Sequence, residues 1–97
     1  MEDALDVRRT AASADIEQAV KTDMDVTGSS ERADYIRSVA GRGGLIAASV
    51  GGTVQGFCCV EDGRFFGRPF IELLLVCESA RRSGLGTALL NHVSSEY

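Results

Sequence analysis

Six consecutive residues, Arg81-Arg82-Ser83-Gly84-Leu85-Gly86, hold the richest chemistry in this chain. They follow the apolar run Phe70 to Val76 and lead into a stretch with helical periodicity. A strand, a basic loop and a glycine-opened helix, in that order, gather bare backbone N–H groups at a helix start, which suits a pyrophosphate. Gly84 and Gly86 permit close approach because no Cβ intervenes. Arg81 adds positive charge beside the anion; Arg82 can do the same or remain a solvated surface residue. Ser83 and Thr87 fit capping or phosphate contact better than nucleophilic attack, since no histidine base is placed for them in the sequence. Two other glycine-loop classes fail. A P-loop requires a lysine that does not follow Gly84 or Gly86. A dinucleotide fingerprint requires a third glycine where Leu89 stands.

Glu72 is the second residue of interest. It interrupts the apolar run Phe70 to Val76, and a carboxylate there needs a reason, because burying an unpaired charge is costly. Strand alternation would set Glu72 on the face of Leu74 and Val76. A structural ion pair or a rim position would also explain it. His92 falls on an apolar helical stripe, where a satisfied core histidine is the more ordinary outcome. Cys58, Cys59 and Cys77 have neither metal-ligand spacing nor a disulfide framework. Cys58 and Cys59, adjacent in a strand, should point to opposite faces as small hydrophobes of a reducing compartment.

The elements that position these residues follow from periodicity and punctuation. Ala4 to Thr10 reads as a strand. Ser13 can cap a helix carrying Ile16, Ala19, Val20 and Met24, with Asp15 and Glu17 in its first turn. Thr27-Gly28-Ser29-Ser30 breaks it. A second helix bears Ala33, Ile36, Val39 and Ala40 and should stop at Gly41 in a left-handed conformation. Leu45 to Val50 and Thr53 to Val60 form a hairpin about Gly51-Gly52. Glu61-Asp62-Gly63-Arg64 reads as a further turn, Phe65 and Phe66 as extended, and Gly67-Arg68-Pro69 as another break. Phe70 to Val76 belongs in a sheet covered on both faces. The last helix starts near Gly84 and carries Leu85, Ala88, Leu89, His92 and Val93. The order is β-α-α-β-β-β-α.

With 97 residues, the chain is at most one domain. Its 44% hydrophobic and 25% charged residues are ordinary for a globular protein. A net charge of −4 argues against nucleic-acid binding, which needs a basic excess, and mildly favours cationic ligands such as amines. Met1-Glu2-Asp3 has no apolar segment of a signal peptide, and no stretch reaches membrane-spanning length. A cytoplasmic protein with no nucleic-acid or membrane partner and no metal is expected.

Several segments together resemble the GCN5-related N-acetyltransferase (GNAT) family. Arg81 to Gly86 is similar to its acyl-CoA signature, Arg/Gln-x-x-Gly-x-Gly/Ala. Val7-Arg8-Arg9-Thr10-Ala11 with Asp15-Ile16 resembles its first strand and helix start, Gly52-Thr53-Val54-Gln55-Gly56-Phe57 its hairpin, and Ile71 to Val76 its fourth strand. The family's proline two residues after that strand is replaced by Glu78. The match covers nearly all of this chain but only about the first two-thirds of a usual family domain, residues 1–97 forming a single partial domain.

The resemblance implies an α/β (α+β) fold with a mixed sheet, lacking the later fifth strand, fourth helix and last two strands. It implies acetyl-CoA as co-substrate and transfer of its acetyl group to an amine of a small molecule or peptide. Backbone groups of Leu75, Val76 and Cys77 would hold the pantetheine arm. Those of Arg81, Arg82, Ser83, Gly84, Leu85, Gly86 and Thr87 would hold the pyrophosphate. Glu72 stands where small-amine members often place a glutamate that accepts a proton. The usual acid, a tyrosine in a later helix, is a role neither Tyr35 nor Tyr97 inherits. A fragment, a truncated product completed in a homodimer, and a non-catalytic acyl-CoA-binding or interaction module all remain open. An exposed fourth strand favours the homodimer as the expected assembly.

Overall fold

The computed structural model describes residues 5–65, 68–77 and 84–96. Its elements run β1 (Leu5–Arg9), α1 (Ser13–Thr27), α2 (Ala33–Gly41), β2 (Leu45–Val50), β3 (Thr53–Phe65), β4 (Arg68–Val76) and α3 (Leu85–Glu96). This is the expected α+β order. The strands form one sheet in the order β1-β2-β3-β4, and all three pairings are antiparallel.

The apolar runs Leu45 to Ala48 of β2 and Phe57 to Val60 of β3 are explained by helices on both faces. On one face Leu45, Phe57 and Cys59 pack with Ala19 and Val20 of α1 and Ile36, Val39 and Ala40 of α2. On the other, Ile46, Ala48, Cys58 and Val60 pack with Leu85, Leu89 and Val93 of α3. Cys58 and Cys59 therefore do face opposite ways, and both are fully buried. Burial pushes the Cys58 thiol up to about 12, so it stays protonated and inert.

Local chemistry explains the element ends, with four corrections to the sequence reading. Ser13 is the first residue of α1, not its cap. Ala12 holds the cap position, no side chain caps the helix, and the Ala12 N–H donates instead to Thr10 Oγ1 at 3.1 Å. Gly28 ends α1 at φ 72°, its N–H reaching Met24 O at 2.8 Å. Gly41 is the last residue of α2 and not its left-handed stop. The left-handed turn comes at Gly43 (φ 80°), after Arg42 has turned its N–H back to the helix carbonyls. The two-residue hairpin between Val50 and Thr53 has positive φ at both Gly51 (61°) and Gly52 (85°), which only glycine adopts freely.

The third correction concerns residues 61–64, read as a turn but lying inside β3, which runs on to Phe65. The ladder steps from Glu61 opposite Phe70 to Phe65 opposite Arg68, an irregularity at Pro69, which has no N–H to give to a ladder. Arg68 and Pro69, read as a break, accordingly belong to β4. Ala4, Phe66 and Gly67 lie outside the described residues.

Candidate functional site

The fourth correction concerns β4. Cys59 pairs with Leu73 and Val60 with Ile71, so adjacent β3 residues face β4 residues two apart. Glu72 is the extra residue, a β-bulge. The bulge breaks the alternation expected for this strand. Ile71 packs on the α3 side, whereas Leu73 and Leu75 pack on the α1–α2 side. Alternation counted through Glu72 is therefore no guide to the face it shares with Leu74 and Val76.

A second bulge sits at the other end of β3. Ala48 pairs with Gly56 and Ser49 with Val54, leaving Gln55 as the extra residue. The Gln55 carbonyl accepts the Cys77 N–H at 2.8 Å, just after the last β4 pair, Gly56 with Val76. Here β4 leaves the sheet. Val54, beyond that point, has its N–H taken by Gln18 Oε1 at 2.9 Å and its carbonyl by Thr22 Oγ1 at 3.3 Å, both from α1. Gln18 and Thr22 had no signal in the sequence. They read as ordinary polar positions beside Ala19 and Val20.

Gly84 has a φ of 79°, which favours glycine, and its carbonyl accepts the Ala88 N–H at 3.0 Å to start α3. Leu85 is buried, Gly86 half-buried and Thr87 exposed. The glycines around this junction differ in purpose. A Cβ on Gly56 would stand 2.7 Å from Leu85 Cδ2 and 3.0 Å from Leu75 O, so Gly56 lets the start of α3 pack onto the sheet. A Cβ on Gly86 would meet only Val76 Cγ2, at 3.7 Å, and one on Gly84 nothing within 4 Å. Among the described residues, none packs closely over Gly84 or Gly86 in the first turn of α3, as a bound phosphate requires. Leu75, Val76, Cys77, Gly84, Leu85, Gly86 and Thr87 are thus brought to one end of the sheet. Arg81, Arg82, Ser83 and Glu78 lie outside the described residues, as does Tyr97.

Between α1 and the vacated edge of β3 lies a cleft of about 350 Å³, lined by Lys21, Asp25, Val26, Gln55 and Cys77 among others. Deeper in the frame, Asp15 accepts bonds from Thr10 Oγ1 (2.7 Å) and Arg8 Nη2 (2.9 Å), tying β1 to α1. The Thr10 bond foremost holds the Asp15 carboxyl below its ordinary value, against the opposing effect of burial and with help from Arg8. Asp23, fully buried, is paired with Arg32 and ties α1 to the turn before α2. His92 is half-buried on α3, next to Val93 of the stripe that faces the sheet. Among the described residues no group of three His, Cys, Asp or Glu side chains could hold a metal ion, and no helix is long and apolar enough to cross a membrane.

This architecture is shared with solved structures. An acetyltransferase of the GNAT family from Bacillus cereus superposes with a TM-score of 0.82 at 27% identity, over 92% of this chain and 61% of that one. Ard1 from Thermoplasma volcanium matches with a TM-score of 0.79 at 23% identity, over 95% and 62%. Diaminobutyrate acetyltransferase EctA from Paenibacillus lautus, solved with L-2,4-diaminobutyric acid and coenzyme A, matches with a TM-score of 0.74 at 18% identity, over 94% and 57%. The chain spans less than two-thirds of each of these proteins. No match was found among curated proteins. The family model for the acetyltransferase (GNAT) family matches residues 11–97, from the end of β1 through α3. A match of that extent, on a sheet and glycine junction of this form, establishes that the chain belongs to the GNAT acetyltransferase family.

Proposed function

We propose that this chain is the CoA-binding part of an acetyl-CoA-dependent N-acetyltransferase acting on a primary amine. The observation that supports it most is the junction between β4 and α3. A strand departs at Cys77, a helix opens at Gly84, and among the described residues no close packing requires glycine at position 86. Bound acetyl-CoA would supply the thioester: the amine nitrogen would bond to the acetyl carbon as the C–S bond breaks, and CoA would leave as its thiolate and take up the proton that the amide nitrogen sheds.

The remaining work falls to the protein. The outer edge of β4 accepts the pantetheine arm like an added strand, through backbone groups of Leu75, Val76 and Cys77. Backbone N–H groups from Arg81 to Thr87 hold the pyrophosphate, backed by the dipole of α3. A backbone N–H of β4 polarises the thioester oxygen. An alkylammonium, with a pKa of about 10.4, must lose a proton before it attacks, and Glu72 at the bulge of β4 accepts it through water. The same reading takes residues 1–97 as one partial domain in the cytoplasm, paired with a second copy.

Titration calorimetry with CoA tests the site. The Gly86→Val variant has room for its Cβ beside Val76, so it should keep its helix content by circular dichroism while losing at least tenfold in CoA affinity, about 1.4 kcal/mol. Unchanged affinity in a folded variant would remove the pyrophosphate assignment.

A further inference from the structure

The cleft beside Cys77 exists because a helix finishes the sheet where a strand has left it. Gln18 and Thr22 are occupied with the backbone of Val54. The charged groups left at the cleft are Lys21 and Asp25, one turn apart on α1 and both exposed. Neither makes a hydrogen bond or ion pair to another described residue. Their order is the weaker one for an i,i+4 pair, which is better with the acid N-terminal to the base. Asp25 also lies in the last turn of α1, where the helix dipole disfavours a carboxylate. Unlike Asp23, which Arg32 neutralises, Asp25 has no compensating partner among the described residues. Two opposite charges, one turn apart on one helix face at the rim of a cleft that touches the end of β4, offer partners of both signs to a ligand with both charges.

We infer that this cleft binds a small zwitterion of the amino-acid class, its carboxylate at Lys21 and its ammonium at Asp25. The assignment of this ligand does not rest on the transferase reading. The Cβ atoms of residues four apart on a helix are about 5–6 Å from each other, which matches an amine and a carboxylate separated by a few methylenes. The cleft volume of about 350 Å³ admits such a molecule with its waters.

Titration of the protein with 4-aminobutyrate, and with n-butylamine and butyrate as singly charged controls, followed by amide nitrogen–proton shifts, tests the assignment. The zwitterion should move the amides of Val54, Gln55 and Cys77 and bind about two- to fivefold more tightly than either control, since each exposed pair contributes modestly. Lys21→Met and Asp25→Asn should each bring the zwitterion down to the level of one control, and both should leave CoA affinity within about twofold. Equal binding of all three compounds, or selectivity that survives both substitutions, overturns the inference. If CoA binds but the zwitterion shows no preference, the cleft assignment falls and the transferase reading stands. If the zwitterion binds selectively while CoA does not bind, the cleft assignment stands and the transferase reading falls.

Discussion

Protonation of Asp15 removes the acceptor charge that Arg8 and Thr10 share, and with it the tie between β1 and α1. Because the folded carboxyl lies below its ordinary value of 3.8, its contribution to stability is complete above that value. It is lost as pH falls through the lower folded value. Denaturant unfolding across the acid range should therefore show a fall in stability that is shallower in Asp15→Asn. Thr10→Val should cost about 1–2 kcal/mol at neutral pH. For the chemistry, Glu72→Gln should lower turnover most at pH values where the amine is charged and leave CoA affinity nearly unchanged. A pH–rate profile that keeps its shape would make Glu72 a structural residue. At this scale the sequence showed which residues were unusual: a carboxylate in an apolar strand, and glycines after a basic pair. It did not show that Glu72 stands at a bulge, because a bulge is a relation between two strands. Nor did it show that Asp15 would be claimed by Arg8 and Thr10 rather than left to the helix dipole.

The elements depend on glycines of two kinds, and stability measurements can tell them apart. A Cβ on Gly44 would clash with the Val60 carbonyl and stand 2.8 Å from Val39 Cγ1, where α2 hands the chain to β2. Gly44→Ala should lose about 1–3 kcal/mol in denaturant unfolding, and Gly56→Ala a similar amount. Gly86→Ala, by contrast, should be neutral or gain up to about 1 kcal/mol from helix propensity. Stability equal to wild type in Gly44→Ala would show that α2 and β3 are less closely joined than the backbone indicates. The strands and helices were legible because apolar spacing and glycine punctuation agree over most of their length. Residues 61–64 misled because Glu-Asp-Gly-Arg has turn composition, whereas the ladder absorbs it as an irregularity opposite Pro69. Gly41 misled because the left-handed residue falls two positions later, at Gly43.

Across the whole molecule, the described sheet ends at β4, and apolar side chains stay accessible near that side. Leu74 is 39% exposed on β4 and Leu90 45% exposed on α3. An outer strand of this kind favours pairing with another chain. Sedimentation equilibrium at micromolar concentration should therefore give a mass above 10.3 kDa. A single well-folded species at that mass would remove the proposed dimer. The overall architecture was the most readable level, because the order of elements and the covered strands follow from patterning alone. The cleft was the least readable, since it depends on Gln18 and Thr22 meeting the backbone of a strand more than thirty residues away. That contact has a further consequence for cooperativity. The amide of Val54 is protected by a helix side chain, not by a neighbouring strand, so it opens to solvent when α1 undocks even if the sheet survives. Helix and sheet edge therefore share one opening event, and the rim of the cleft is only as rigid as the docking of α1.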